Sequence, residues 1–422
     1  MGLEQYKGDM EMCCRCSDCK FVPMQKVGGY QFVNVCPSIS KYNFHSYSGG
    51  GRLNIGSDML KNGMTYTDTL LDIVYNCQMC GACGVSCNYA MDMEVNEPIS
   101  EFRIQCVKDG RTNPALDKTI AGLRQHGSMV PVAGKRGDWA AGLGLKDATR
   151  EKVDVLYHVG CLTSYDPNLQ KLAQATAKIL LKAGVNFGIA GDAEVCCGGR
   201  AYQMGYEEDF LAQARKNMAL VKQAGVKTVV TACADGYQAF KVLYDKFHLK
   251  DGLEVLHISE YVARLIHEGK LTLQNKIDLS VTYHDPCRLG RLGEPWVHWQ
   301  GKKVPGDRFV FDPPKTYRRG TNGVYEPPRD VLQSIPGIKL TEMARIKEYA
   351  WCCGAGGGVS DSNPEFAQWT AQERIEEAAA TGAEALVTAC PWCEKTFEQA
   401  IRATGSRLKV YDIVELVERA IA

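Results

Sequence analysis

The sequence lacks the marks of several broad protein classes. Lysine plus arginine and aspartate plus glutamate number 49 each, so no surplus of one sign points to nucleic acid or an anionic membrane surface as a partner. No run of about 18 apolar residues is present, so no segment is expected to insert directly into a bilayer. The opening residues MGLEQYKGDMEM hold no basic stretch followed by an apolar core, which argues against an export signal. No G-x-G-x-x-G follows a strand-like segment, so flavin or nicotinamide binding falls to a partner. The expected location is cytoplasmic, with any membrane association made through a partner.

Cysteine is what the chain has in excess, with 19 in 422 residues. The length suits two or three domains. A composition of 45% hydrophobic and 23% charged residues is that of an ordinary globular protein. A disulfide framework would require export. Two-residue gaps between cysteines instead suit several thiolates closing on one metal centre.

Cys77-x2-Cys80-x2-Cys83-x3-Cys87 matches the run by which bacterial ferredoxins hold [4Fe–4S] clusters. A stretched copy lies upstream as Cys13-x2-Cys16-x2-Cys19, followed by Cys36-Pro37. In ferredoxins the fourth cysteine of each run serves the other cluster. That rule assigns Cys13, Cys16, Cys19 and Cys87 to a first cubane cluster, and Cys77, Cys80, Cys83 and Cys36 to a second. Zinc also takes four thiolates, but this is a poor zinc-finger spacing. Cys14 is left without a role, and Cys106 reads as a core thiol in a helix.

From about residue 150 the chain repeats itself. VDVLYHVGC (153–161) aligns with LSVTYHDPC (279–287), EVCCGGRAYQMG (194–205) with AWCCGAGGGVS (350–360), and VKTVVTACADG (226–236) with AEALVTACPWC (383–393). Each copy closes alike, LHISEYVARLI (256–266) against YDIVELVERAI (411–421). Short β-branched strands alternate with periodic helices at 168–184, 206–225 and 364–382, which predicts parallel sheets covered on both faces. The cysteines fall where strands end and helices begin, the binding edge of such folds. The expected class is therefore α/β: two Rossmann-like lobes related by a pseudo-twofold axis, behind a small α-helical ferredoxin-type domain. The expected boundaries are 1–149, 150–275 and 276–422.

The second copy carries Cys287, Cys352-Cys353 and Cys390-x2-Cys393. This pattern resembles the cysteine-rich CCG domain of heterodisulfide reductase subunits. Two ferredoxin clusters followed by two CCG copies resemble the fused subunit of the membrane-linked enzymes. Similar chains serve class II benzoyl-CoA reductase complexes. The resemblance implies that these five cysteines hold a noncubane [4Fe–4S] cluster that acts on a disulfide or thiol. It also implies electron exchange with flavin-containing or cytochrome b-type redox subunits. The alternative is an electron conduit, with the chemistry on a neighbouring subunit.

Two departures stand out. The first copy has Cys161, Cys196, Cys197 and Cys233 but Gly236 in place of the fifth cysteine, leaving a fourth site that is either a cubane site or empty. The second copy has an insertion, 295–323, whose Lys302, Lys303, Arg308, Lys315, Arg318 and Arg319 outnumber Asp307 and Asp312. It reads as a solvated loop, a grip for an anionic substrate arm or a docking surface for another protein of the complex. GAGGG at 354–358 reads as a cluster-wrapping turn. His158 and His284 each precede the first cysteine of a copy by three residues. Such a residue either braces the cysteine loop or delivers a proton, and His284, with Cys353, is the catalytic candidate.

Overall fold

The β-branched segments that the repeat aligns fold into two parallel sheets in the computed structural model, which describes residues 2–63, 65–91, 93–295, 299–307 and 310–421. The first sheet contains β1 (Lys146–Asp147), β2 (Val155–Tyr157), β3 (Phe187–Ile189), β4 (Thr228–Thr231) and β5 (Glu254–His257), in the order β1-β3-β2-β4-β5. The second contains β6 (Leu279–Tyr283), β9 (Ile338–Leu340), β10 (Ala385–Thr388) and β11 (Lys409–Asp412), in the order β11-β10-β6-β9. With β6 matched to β2, the second order repeats the first without β1. A hairpin of β7 (Lys302–Lys303) and β8 (Phe311–Asp312) lies inside the insertion.

Parallel strands buried on both faces need apolar residues throughout. Val155, Leu156, Val229, Val230, Val281, Leu386 and Val387 are all at most 5% exposed. The lobes interlock through their helices. The last helix of each lobe packs on the first long helix of the other, Ile258–His267 on Glu326–Ser334 and Ile413–Ala420 on Gln170–Lys182. Both last helices begin with a capping box, on His257 and Glu260 in one and on Asp412 and Glu415 in the other. The reciprocal packing is what a pseudo-twofold axis requires.

The N-terminal region is helical, with short helices separated by the cysteine loops. Its strut is the helix Asn96–Lys108, buried over nearly its whole length. Glu97 on this helix accepts from Lys246 of the first lobe at 2.8 Å and from Arg318 of the insertion at 2.8 Å. The insertion therefore packs back on its own chain. Lys315 bonds Asp9 at 2.7 Å, and Arg319 donates to the Asn88 carbonyl at 2.6 Å. Within the 295–323 insertion, Lys315, Arg318 and Arg319 are therefore not a solvated run: their charge is spent on the helical domain. Arg308 lies outside the described residues.

Burial pushes the Glu97 carboxyl up, but Lys246 and Arg318 outweigh it and hold its pKa down at about 2. A carboxylate lowered in the folded state stabilises fully above its unfolded pKa, and the contribution disappears as pH falls towards 2. Glu97→Gln is expected to lower stability at pH 7 by about 3 kcal/mol, the cost of stranding buried cations. Urea unfolding at several pH values measures it, and the deficit stays constant from pH 6 to 8.

Candidate metal centres

The sheet order decides where the lobe cysteines meet. In a doubly wound sheet, ligands enter at the carboxyl ends of the two strands between which the order reverses. Here those strands are β2 and β4 in one lobe and β6 and β10 in the other. Cys161 and Cys233 follow the first pair, and Cys287 and Cys390 follow the second. The double cysteines come in beside them on matching turns. Gly198 and Gly354 both have left-handed φ, 76° and 95°. Their N–H groups reach back to Cys196 Sγ at 3.4 Å and Cys352 Sγ at 3.3 Å. A Cβ on Gly354 would overlap the Ala367 carbonyl, so this turn requires glycine.

The C-terminal set is dense. Cys352 neighbours Cys287 and Cys353, Cys353 neighbours Cys393, and Cys393 neighbours Cys390. Cys352, Cys353, Cys390 and Cys393 are at most 5% exposed, while Cys287 is half-buried. His284 joins this set, one of its ring nitrogens lying within 4.8 Å of the sulfurs of Cys353 and Cys393. Arg374 Nε donates to His284 Nδ1 at 3.1 Å, which assigns the ring proton to Nε2. Burial lowers the His284 pKa, so the ring is neutral.

The first-lobe set is also buried. Cys161 Sγ and Cys196 Sγ are 3.6 Å apart. The cavity around Cys161, Cys196, Cys197 and Cys233 is covered by Trp392 of the other lobe, with the Arg200 guanidinium 3.8 Å from its ring centroid. The residue between the last two cysteine positions reaches across in both directions. Trp392 covers the first-lobe set, and Asp235 meets Cys390 beside Cys233, their ligand atoms within 4.8 Å of one another. His158 holds the Val195 carbonyl at 3.2 Å and braces the loop before Cys196.

In the helical domain, Cys87 sits among Cys13, Cys16 and Cys19, while Cys36 sits with Cys77, Cys80 and Cys83. The two groups meet across Gly49 and Gly50, which open a helix. A Cβ on Gly49 would touch Cys83 at 2.9 Å, and one on Gly50 would touch Cys13 Sγ at 3.1 Å. Cys14 is exposed, and Cys106 is buried away in its helix.

One contact joins the domains. Cys80 and Cys352 lie side by side in one buried cluster, and the neighbouring sulfur holds the Cys80 pKa down at about 5 against burial, helped by Arg291 and Arg288. The GAGGG turn lies at the same junction. A Cβ on Gly356 or Gly357 would overlap the carbonyl of Gln78 or Cys77. Gly354 thus serves its own cysteine pair, while Gly356 and Gly357 form a docking face for the helical domain, a role absent from the cluster-wrapping reading.

Comparison with known proteins agrees with this arrangement. The CCG cysteine-rich domain family matches residues 155–240 and 281–398. One component of the dihydromethanophenazine:CoB–CoM heterodisulfide reductase of Methanosarcina mazei is 30% identical over 98% of this chain and 94% of its own length. The chain belongs to this family of CCG-domain iron–sulfur oxidoreductase subunits. Other members match over part of their length. A probable iron–sulfur-binding oxidoreductase of Bacillus subtilis is 29% identical over 82% of this chain and 46% of its own. The EtfAB:quinone oxidoreductase of Syntrophomonas wolfei is 27% identical over 86% and 48%. A hypothetical protein from Helicobacter pylori shares the fold, with a TM-score of 0.52 at 12% identity over 88% of this chain and 67% of that one. Among the described residues, no helix is long and apolar enough to cross a membrane.

The buried thiols suit a family that holds iron and sulfide, and the unpartnered polar atoms beside them fit an anionic group. Among the described residues, Arg291 Nη2, Arg288 Nε and His284 Nε2 have no hydrogen-bond partner. Sequence reasoning missed Asp235, Trp392 and the buried arginines. The motif Cys287-Arg288-x2-Arg291 was the available signal for two of them.

At Gly236 a Cβ would meet Thr231 Oγ1 at 3.1 Å and Cys233 Cβ at 3.7 Å, so a Cβ needs only a small shift, and the residue lines the cavity of the first-lobe set. Gly236→Cys is expected to complete the first-lobe set. Anaerobically reconstituted protein should then gain iron, by about four atoms per chain if that set was empty, or show a new paramagnetic signal if it was filled. Iron analysis with electron paramagnetic resonance reads both.

Proposed function

We propose that this chain is the electron-relay subunit of a multi-subunit oxidoreductase, with a disulfide or thiol as the species acted on at its C-terminal set. Cys13, Cys16, Cys19 and Cys87 would hold one [4Fe–4S] cluster. Cys36, Cys77, Cys80 and Cys83 would hold a second, and Cys287, Cys352, Cys353, Cys390 and Cys393 a noncubane cluster. Such clusters supply one-electron exchange at bound iron. The observation that carries the reading is the Cys80–Cys352 contact, which joins a ligand of the ferredoxin pair to a ligand of the C-terminal set.

The exposed groups support a direction of access. Cys14 and Cys16 are exposed, and Phe21, Tyr30, Phe44 and Tyr89 expose apolar rings in the same domain, at 43%, 82%, 64% and 51%. A flavin-containing or cytochrome b-type partner would exchange electrons on this side. At the other end, half-buried Cys287 is the approach to the C-terminal set. There the Nε2–H of neutral His284, beside Cys353, is placed to stabilise a departing thiolate by a hydrogen bond, with Arg374 orienting the ring.

The conduit reading keeps one observation in its favour. The deep burial of Cys352, Cys353, Cys390 and Cys393 leaves little room for a substrate sulfur. Cys353→Ala separates function from fold. About four irons should be lost, turnover with the physiological partner should disappear, and dye reduction of the N-terminal pair should persist. Full turnover in this variant contradicts the proposal. If the wild-type C-terminal signal responds to no thiol or disulfide, the conduit reading holds instead.

A further inference from the structure

Thiolate ligation leaves one group of buried residues unexplained. Arg52, Arg103 and Arg291 are each at most 2% exposed. Among the described residues, none of the three has a carboxylate within 4 Å. Their donors go to carbonyls. Arg52 binds those of Ile73 at 2.9 Å and Asn76 at 2.8 Å. Arg103 binds those of Val74 at 2.9 Å, Tyr75 at 3.1 Å and Cys77 at 2.7 Å. Arg291 binds that of Cys80 at 2.7 Å. Arg288 is close to the same arrangement. It donates to the Met79 carbonyl at 2.7 Å, and its nearest carboxylate, Asp235, lies 3.7 Å away.

These four cations surround one loop, 76–80, and each faces a thiol of the second set. Arg52 acts on Cys36, Arg103 on Cys77, and Arg288 and Arg291 on Cys80. Arg52 and Arg103 also repel one another. A buried guanidinium without an anion is strongly unfavourable, and placing several together compounds the cost. The missing counter-charge belongs at the centre of the ring, on the second cysteine set. The first set differs. Cys16 is exposed and Cys13 half-buried, Asp18 adds negative charge beside Cys16 and Cys87, and the cation beside Cys19, Lys20, is only half-buried.

We propose that this arginine ring makes the cluster on Cys36, Cys77, Cys80 and Cys83 the electron well of the helical domain, reduced at a higher potential than the cluster on Cys13, Cys16, Cys19 and Cys87. The inference rests on the cluster assignment above and adds an order of potentials to it. Cluster potentials follow net charge, hydrogen bonding to sulfur and solvent exposure. Reduction adds one negative charge at the ring's centre, where cations act through a dry interior with little screening. Water favours the more exposed first set, but three cations without carboxylates outweigh that advantage. One electron leaves the first cluster and one arrives at the second, with no bond or proton exchanged.

Redox titration of the intact holoprotein, followed by electron paramagnetic resonance, tests the order. The signal altered by Cys36→Ser marks the second cluster. It should be the first of the pair to appear on reduction. Arg291→Gln should lower its reduced-to-oxidised ratio about tenfold at fixed potential, a shift of 59 mV for one electron, while the first cluster stays put. Arg291→Lys should retain most of the wild-type position. If Arg291→Gln fails to assemble, Arg288→Gln provides the same comparison. The inference is overturned if the first cluster reduces before the second in the wild type, or if the glutamine variant leaves the midpoint unmoved. Iron content about four atoms short, with no signal responding to Cys36→Ser, overturns the cluster assignment instead.

Discussion

Arg103 is the constraint on which the assembly depends. Its guanidinium is wholly buried and donates to five backbone carbonyls in three domains. Val74, Tyr75 and Cys77 belong to the helical domain, Gln203 to the first lobe at 2.9 Å and Gly357 to the second at 2.6 Å. Burial depresses its pKa and Cys77 raises it, so its charge is balanced at the cysteine loop. The geometry at the domain junction and the electrostatics of the second cysteine set thus hang on one side chain. Moving the lobes apart would strand that cation.

Around this point the duplicated lobes act as one unit. Their matching strand order places both cysteine sets at strand-reversal points that face each other. Each lobe covers part of the other's site, through Trp392 in one direction and Asp235 in the other. The path of sulfur contacts runs from Cys80 to Cys352, through Cys353 and Cys393 to Cys390, and on to Cys233. Duplication therefore yields a pair of abutting cysteine sets, four thiols in the first lobe and five in the second.

Much of this was legible in the sequence, because cysteine spacing and strand–helix alternation are local signals. The helices expected at 168–184, 206–225 and 364–382 form as Gln170–Lys182, Glu207–Ala224 and Pro364–Ala379. The aligned strands form as β2 with β6 and β4 with β10. What the sequence hid is long-range. Arg52 and Arg103 look like ordinary helix residues, and their burial follows from where the lobes dock. The insertion's Lys315 and Arg318 read as free charge until Asp9 and Glu97, roughly two to three hundred positions away, are brought to them. Gly356 and Gly357 sit next to a cysteine pair, so their contact with the Cys77 loop was masked by a nearer role.

The proposed redox path runs without a break from the second cysteine set to the C-terminal set. Magnetic coupling between them is its most direct test. In holoprotein poised so that both centres are paramagnetic, their electron paramagnetic resonance signals should split or broaden one another, because Cys80 and Cys352 lie side by side. Two unperturbed, additive signals would contradict it.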